Sequence, residues 1–246
     1  MKIILLCLFL SGFAEARTFD FNLIGGRPAT KGEYPETVYI SSGNARCSAS
    51  VIGPRVIMTA GHCVADDGQI GPVAVSNTVA FSIDKTSYTA KCKQAPMYRD
   101  HTEDHDMALC KVDKAVSIKP GSISKKGPQL GEKVILSGYG CVKPGGGGGN
   151  DGILRIGKAK VIKLPEGKDH WFYVQDTAAL CFGDSGGPSF LDSKEHLIIG
   201  VNSRGNIKDL SLLTAVYTQE SLDFFEEFAK DQEVEICGIT TDCDQK

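Results

Sequence analysis

The sequence predicts an all-β protein built from antiparallel barrels or sandwiches. Short apolar or alternating runs recur along most of its 246 residues, and Gly, Pro, Asn and Asp punctuate them. The 28 glycines suit many tight turns, and one stretch near the C-terminus has a convincing helical pattern. The length allows one large all-β domain or two smaller ones, with enough chain to bury a substantial core.

In chain order the segment 1–16 comes first. Met1-Lys2 supplies a positive start, residues 3–13 are apolar, and Ala14-Glu15-Ala16 offers a small-x-small cleavage site. The apolar run is well short of the roughly 20 residues that span a bilayer, so it predicts a secretory leader, not an anchor. Strand-like runs follow at 37–40, 55–58, 79–83, 133–136, 160–163, 171–174 and 197–201. A stretch at 119–131, with Pro120, Gly121, Gly127 and Pro128, reads as a linker between an earlier unit at about 23–118 and a later one at about 132–220. Residues 144–152 hold five successive glycines and predict a mobile surface loop. The helix is expected over about 221–232, with Ser221 as cap, Asp223 in the first turn and Lys230 in the last. Leu222, Phe225, Phe228 and Ala229 share the face that should pack against the strands.

The formal net charge of -3 gives no reason to expect a nucleic acid or an anionic membrane as partner. Nine cysteines are present; Cys7 leaves with the leader, and the remaining eight can pair fully in an oxidising compartment. Sequence alone allows about 105 pairings of eight cysteines. Cys92 and Cys110 sit in runs that read as neighbouring strands. None of the cysteines forms a C-x-x-C pair, which argues against a structural metal site. There is no N-x-S/T sequon, so N-glycosylation is not expected.

Three motifs carry chemistry. Cys181-Phe182-Gly183-Asp184-Ser185-Gly186-Gly187, closed by Pro188, places one serine between glycines on a tight turn. Upstream lie Thr59-Ala60-Gly61-His62-Cys63 and Asp106-Met107-Ala108-Leu109. A serine hydroxyl is a poor nucleophile until a neighbouring base removes its proton. The three motifs, in the order histidine, aspartate, serine, resemble the trypsin/chymotrypsin family of serine endopeptidases, and the resemblance runs from Leu23 to the C-terminal helix.

That resemblance implies two antiparallel six-stranded β-barrels followed by the helix, with residues 17–22 a short propeptide and 23–246 the protease domain. It makes His62 the base, Asp106 the carboxylate that orients it and Ser185 the nucleophile, with the N–H groups of Gly183 and Ser185 as an oxyanion hole. Asp104 would point the same way as Asp106 on an alternating strand; the apolar Met107-Ala108-Leu109 that follows matches the family and selects Asp106. Ser203 matches the serine that buttresses this aspartate. His101, His105, His170 and His196 occupy no comparable motif and read as surface or structural residues.

By the same resemblance Cys47 pairs with Cys63 beside the histidine. Cys181 would pair with a cysteine in the pocket wall, but 204–218 contains none, so Cys141 becomes its expected partner and Cys237 is left with Cys243. Activation would follow cleavage before Leu23, whose new amino group pairs with Asp184. Asn22 stands at the cut, where the family usually has a basic residue.

Ala179 matches the pocket floor, with Leu180 beside it, Phe182 at the mouth and Gly205 and Ala215 as the two wall positions. An alanine on the floor would leave a substrate cation unpaired, so apolar residues are expected on the acyl side of the cut, small or medium aliphatics first and aromatics second. Arg204 replaces a tryptophan usual on the cleft wall and could favour an acidic group further along the substrate. The reading needs no metal or other cofactor; Asp66 and Asp67, near where some relatives bind calcium, read as solvated acids. Expected partners are protein or peptide substrates, an activating protease and protein inhibitors, and the expected location is extracellular, or periplasmic in a bacterium.

Two rival readings were open to the same residues. An α/β-hydrolase would need an acid and then a histidine after the serine, and only His196 follows. A catalytically inactive binding protein on the protease scaffold is kept open by Arg204 and the rearranged pocket clasp.

Overall fold

The computed structural model describes residues 23–64, 76–98, 105–149, 151–167, 169–193 and 195–243. The leader, the segment before Leu23, Asp66, Asp67, His101 and Asp104 lie outside the described residues. The fold is all-β, with two closed six-stranded antiparallel barrels and one C-terminal helix.

The first barrel is formed by β2 (Thr37–Ser42), β3 (Ala45–Gly53), β4 (Val56–Thr59), β5 (Thr78–Ile83), β6 (Thr86–Gln94) and β7 (Ala108–Val112). They close in the order β2-β3-β4-β7-β6-β5. In β5 the alternation Thr-Val-Ala-Phe-Ser-Ile buries every second side chain, as a strand with one wet face requires. β3 is different: from Cys47 to Gly53 every residue is buried, because it lies between its own barrel and the second one.

The second barrel comprises β9 (Lys133–Gly138), β10 (Arg155–Lys163), β11 (Trp171–Gln175), β12 (Pro188–Leu191), β13 (Leu197–Gly205) and β14 (Leu210–Ala215). The ring β9-β10-β11-β14-β13-β12 closes through the β12–β9 ladder. Two short strands are added to it: β1 (Arg27–Pro28) pairs with β10, and β8 (Ser122–Ile123), inside the expected linker, pairs in parallel with β13.

One apolar cluster fills the first barrel and continues into the contact between barrels through Ile135, Phe190 and Val201; a second, with Leu23, Leu136, Phe172 and Leu213, fills the second barrel. The helix α1 (Gln219–Gln232) buries Phe224, Phe225, Phe228 and Ala229 in the first of these. It starts earlier than expected. Thr218 is the cap, its side chain accepting from the Ser221 N–H, whereas Ser221 is buried and donates to the Ala215 carbonyl at 2.8 Å. The buried face also differs: Phe224 is buried, whereas Leu222, expected there, is only partly buried. Glu220, not Asp223, is the acid of the first turn.

Four disulfides staple the chain: Cys47–Cys63, Cys92–Cys110, Cys141–Cys181 and Cys237–Cys243. The first ties β3 to the turn carrying His62. The third ties the loop after β9 to the start of the serine motif.

Candidate active site

Both barrels contribute to one cleft of about 430 Å³, lined by His62, Tyr98, Leu180, Phe182, Ser185 and Arg204 among others. His62 lies on the single helical turn Gly61–Cys63 that follows β4, and its neighbour Cys63 anchors that turn through the disulfide. Asp106 lies two residues before the start of β7, which is hydrogen-bonded to β4. The strand pair therefore delivers the histidine and the aspartate side by side.

Asp106 has no exposed surface. Its Oδ1 accepts the His62 backbone N–H at 2.9 Å, and its Oδ2 lies 2.7 Å from His62 Nδ1. Ser203 Oγ, from β13 of the second barrel, donates to the same Oδ2 at 2.5 Å. The Arg204 guanidinium stands 3.8 Å from it. Burial pushes the Asp106 carboxyl up, but the attraction of His62 and the hydrogen bonds from His62 and Ser203 outweigh that and hold it below its ordinary value. The result is an anion at rest, directed at one ring nitrogen of a histidine that is one-third exposed to the cleft.

Ser185 follows a turn closed by the Asp184 N–H donating to the Cys181 carbonyl at 3.0 Å. Gly183 has φ 102, a conformation that side chains resist. At Gly186 a Cβ would come within 2.0 Å of Thr59 Oγ1, so glycine is also needed where the serine turn meets the histidine motif. Ser48 of β3 links the barrels here, its hydroxyl donating to the Gly183 carbonyl at 2.8 Å and its N–H to the Ser185 carbonyl at 2.8 Å. The Ser185 hydroxyl itself donates to the Ser203 carbonyl at 3.3 Å.

Asp184 points the other way, into the second barrel. It is fully buried, with Oδ1 accepting the Gly140 N–H at 2.8 Å and Oδ2 the Cys181 N–H at 2.9 Å. Burial pushes its carboxyl up to about 7, against those two hydrogen bonds and the attraction of Arg155. Leu23 is buried in the second barrel's core, and Ile24 bridges Ala179, whose N–H donates to the Ile24 carbonyl at 2.8 Å.

Of the expected pocket residues, Leu180, Phe182, Ser203, Arg204 and Gly205 line the cleft, Phe182 with 64% of its surface exposed. Ala179 is buried beneath, against Ile24, Cys141 and Cys181. Ala215 lies elsewhere. It is opposite Gly200, inside the second barrel's core, and the register places Ser211 opposite Gly205 instead. The reason is length: the connection from β13 to β14 holds only four residues, 206–209, so the wall position falls four residues earlier than expected. Ser211 Oγ accepts the Leu180 N–H at 2.9 Å. Sequence reasoning also passed over Tyr98 and Ile207, which line the cleft without belonging to a motif. His105 and His170 are buried structural residues, their rings 3.4 Å apart, while His196 stacks on Tyr34. Among the described residues the one cluster with metal-ligand character is Cys47, His62 and Cys63, whose sulfurs are joined to each other.

The fold and this cleft define a serine endopeptidase, a hydrolase of peptide bonds. A family profile described as Trypsin matches residues 23–224, and the chain belongs to that family. It is similar to a trypsin-like protease of Streptomyces glaucescens, 28% identical over 90% of this chain and 85% of the relative. Serine protease SP24D of Anopheles gambiae is 28% identical over 78% of this chain and 76% of its own length, and a trypsin of Xenopus laevis is 24% identical over 76% and 82%.

Ser203→Ala removes a hydrogen bond to a buried charge, which contributes about 1.5–3 kcal/mol. Urea unfolding at neutral pH should show a loss of that order. Because the folded carboxyl titrates below its ordinary value, the difference should fade as pH falls through that lowered value. Equal stability of the two proteins at neutral pH would contradict this account of Asp106.

Proposed function

We propose that the chain is a secreted endopeptidase that cuts through an acyl-enzyme, with Ser185 as nucleophile, His62 as general base and acid, and Asp106 as its orienting anion. The observation that carries the reading is the 2.7 Å contact between His62 Nδ1 and Asp106 Oδ2 in a cleft that also exposes Ser185. With Nδ1–H held by the carboxylate, Nε2 keeps its lone pair and can take the Ser185 proton as Oγ attacks the substrate carbonyl. The oxygen of the tetrahedral intermediate gains charge, which the N–H groups of Gly183 and Ser185 would bind. Collapse expels the amine, to which His62 returns the proton. Water then attacks the acyl carbonyl while giving a proton to His62, and the second tetrahedral intermediate collapses to the acid as His62 returns that proton to Ser185 Oγ.

Export is supported by the leader-like sequence at 1–16 and by the four disulfides. Among the described residues no helix is long and apolar enough to cross a membrane. An apolar acyl-side preference is supported by Ala179 beneath the cleft and by the apolar Leu180, Phe182 and Ile207 around it. A fluorophosphonate probe should label the processed protein and not its Ser185→Ala variant, and a peptide library should be cut after apolar residues. No labelling, or preferred cleavage after Lys or Arg, would overturn the corresponding half of the proposal.

Activation is read from the second buried acid. In the intact chain Leu23 is joined to Asn22, so its nitrogen carries no charge to meet Asp184. Cleavage there would create an ammonium, and a buried charge pair of this kind costs about 3–5 kcal/mol to break. The pH dependence follows from the raised carboxyl. Unfolded Asp184 ionises near 3.8 while the folded group holds its proton to about 7, so the intact chain loses stability as pH rises across that window. The loss is on the order of 4 kcal/mol at full extent. Urea unfolding of Ser185→Ala protein, intact and beginning at Leu23, should show the processed form gaining on the intact one from about pH 4 to pH 7. Parallel pH profiles would contradict the pairing.

A further inference from the structure

The four-residue turn between β13 and β14 is braced with unusual care. Asn206 Oδ1 accepts the N–H groups of Lys208, Asp209 and Leu210, each at 3.0 Å, and its Nδ2 donates to Asp209 Oδ1 at 2.7 Å. Asp209 is held in turn by Gln175 Nε2 at 3.0 Å. Within this turn Ile207 has φ 57, the left-handed region, where a β-branched side chain is crowded and Gly, Asn or Asp is the usual occupant.

The side chain held in this conformation faces the cleft. Ile207 lines the cleft and packs against the cluster of Ile24, Cys141, Ala179 and Cys181. Its carbonyl accepts the Gly145 N–H at 3.1 Å, which ties the turn to the glycine-rich loop. Ala179 and Ser211, beneath and beside it, have no exposed surface. Ile207 is thus among the residues that a side chain entering past Phe182 and Gly205 would touch, whereas Ala179, packed in the cluster behind it, offers no exposed surface. The Cys141–Cys181 disulfide lies in the same cluster, so the bottom of the cleft is held by a covalent bond as well as by packing.

We propose that Ile207 sets the size limit of the acyl-side pocket, filling the space above Ala179 so that small aliphatic side chains enter and aromatic rings do not. The assignment rests on the endopeptidase reading for what enters the pocket, but the space itself can be tested without catalysis. A close-packed site resists an added ring because its walls cannot yield without strain, and deleting three or four carbons opens room for one.

Indole binding to processed Ser185→Ala protein, measured by calorimetry, should strengthen about tenfold or more when Ile207→Gly or Ile207→Ala is added. Glycine relieves the left-handed backbone; alanine keeps a side chain there and carries the comparison if the glycine variant does not fold. With Ser185 intact, the ratio of kcat/KM for phenylalanine over alanine on the acyl side should rise by a similar factor. Unchanged indole affinity in the folded variants, or an unchanged ratio with hydrolysis intact, would overturn the role of Ile207. Gained indole binding in a protein that hydrolyses nothing would support the size limit while overturning the endopeptidase reading.

Discussion

A carboxylate with no exposed surface, lying where the two barrels meet, is the constraint on which the site depends. Asp106 has left water, so its charge must be matched by groups fixed in the protein. The first barrel supplies the backbone and ring nitrogens of His62, and the second supplies the hydroxyl of Ser203. Neither barrel alone could hold the anion, and holding it sets the imidazole against the cleft. Much of the surrounding architecture serves that geometry. The β4–β7 ladder brings His62 and Asp106 together, Cys47–Cys63 anchors the histidine turn, and Ser48 binds the serine turn from across the interface.

Asp184 forms a counterpart on the other side of the same turn. Two adjacent residues thus face opposite environments: Ser185 toward the cleft, Asp184 into the second barrel against Gly140 and Cys181. Burial there pushes the carboxyl up to about 7, against the attraction of Arg155. The docking of Leu23 and Ile24 against the same barrel puts the start of the described chain close to the groups that shape the Ser185 turn. Beyond them, the Cys141–Cys181 bond and the short β13–β14 turn close the bottom of the cleft.

How much of this could be read from sequence depended on whether the signal was local. Strands with one wet face, such as β5, announce themselves by alternation, and the serine, histidine and aspartate motifs are short and ordered. β3 carries no such signal, because Ser48, Ala49 and Ser50 are buried on both faces and their small side chains break the pattern. The helix start differs from the expected Ser221 because that serine is buried and donates to the Ala215 carbonyl, while Thr218, one turn earlier, caps the helix. Ala215 was misassigned as a wall residue because counting along the chain cannot reveal how long a hairpin is; the β13–β14 register can. Ile207 could not have been found from local preference at all, since its backbone conformation runs against it.

If Asp106 orients His62 as proposed, the proton of the resting ring sits on Nδ1 and the lone pair on Nε2. Nitrogen and proton NMR of the labelled His62 ring in the processed protein, at a pH where the imidazole is neutral, tests it most directly. The account predicts a proton bonded to Nδ1 with a strongly downfield resonance, lost when Asp106 is replaced by asparagine. A neutral ring carrying its proton on Nε2, or a spectrum indifferent to that replacement, would contradict it.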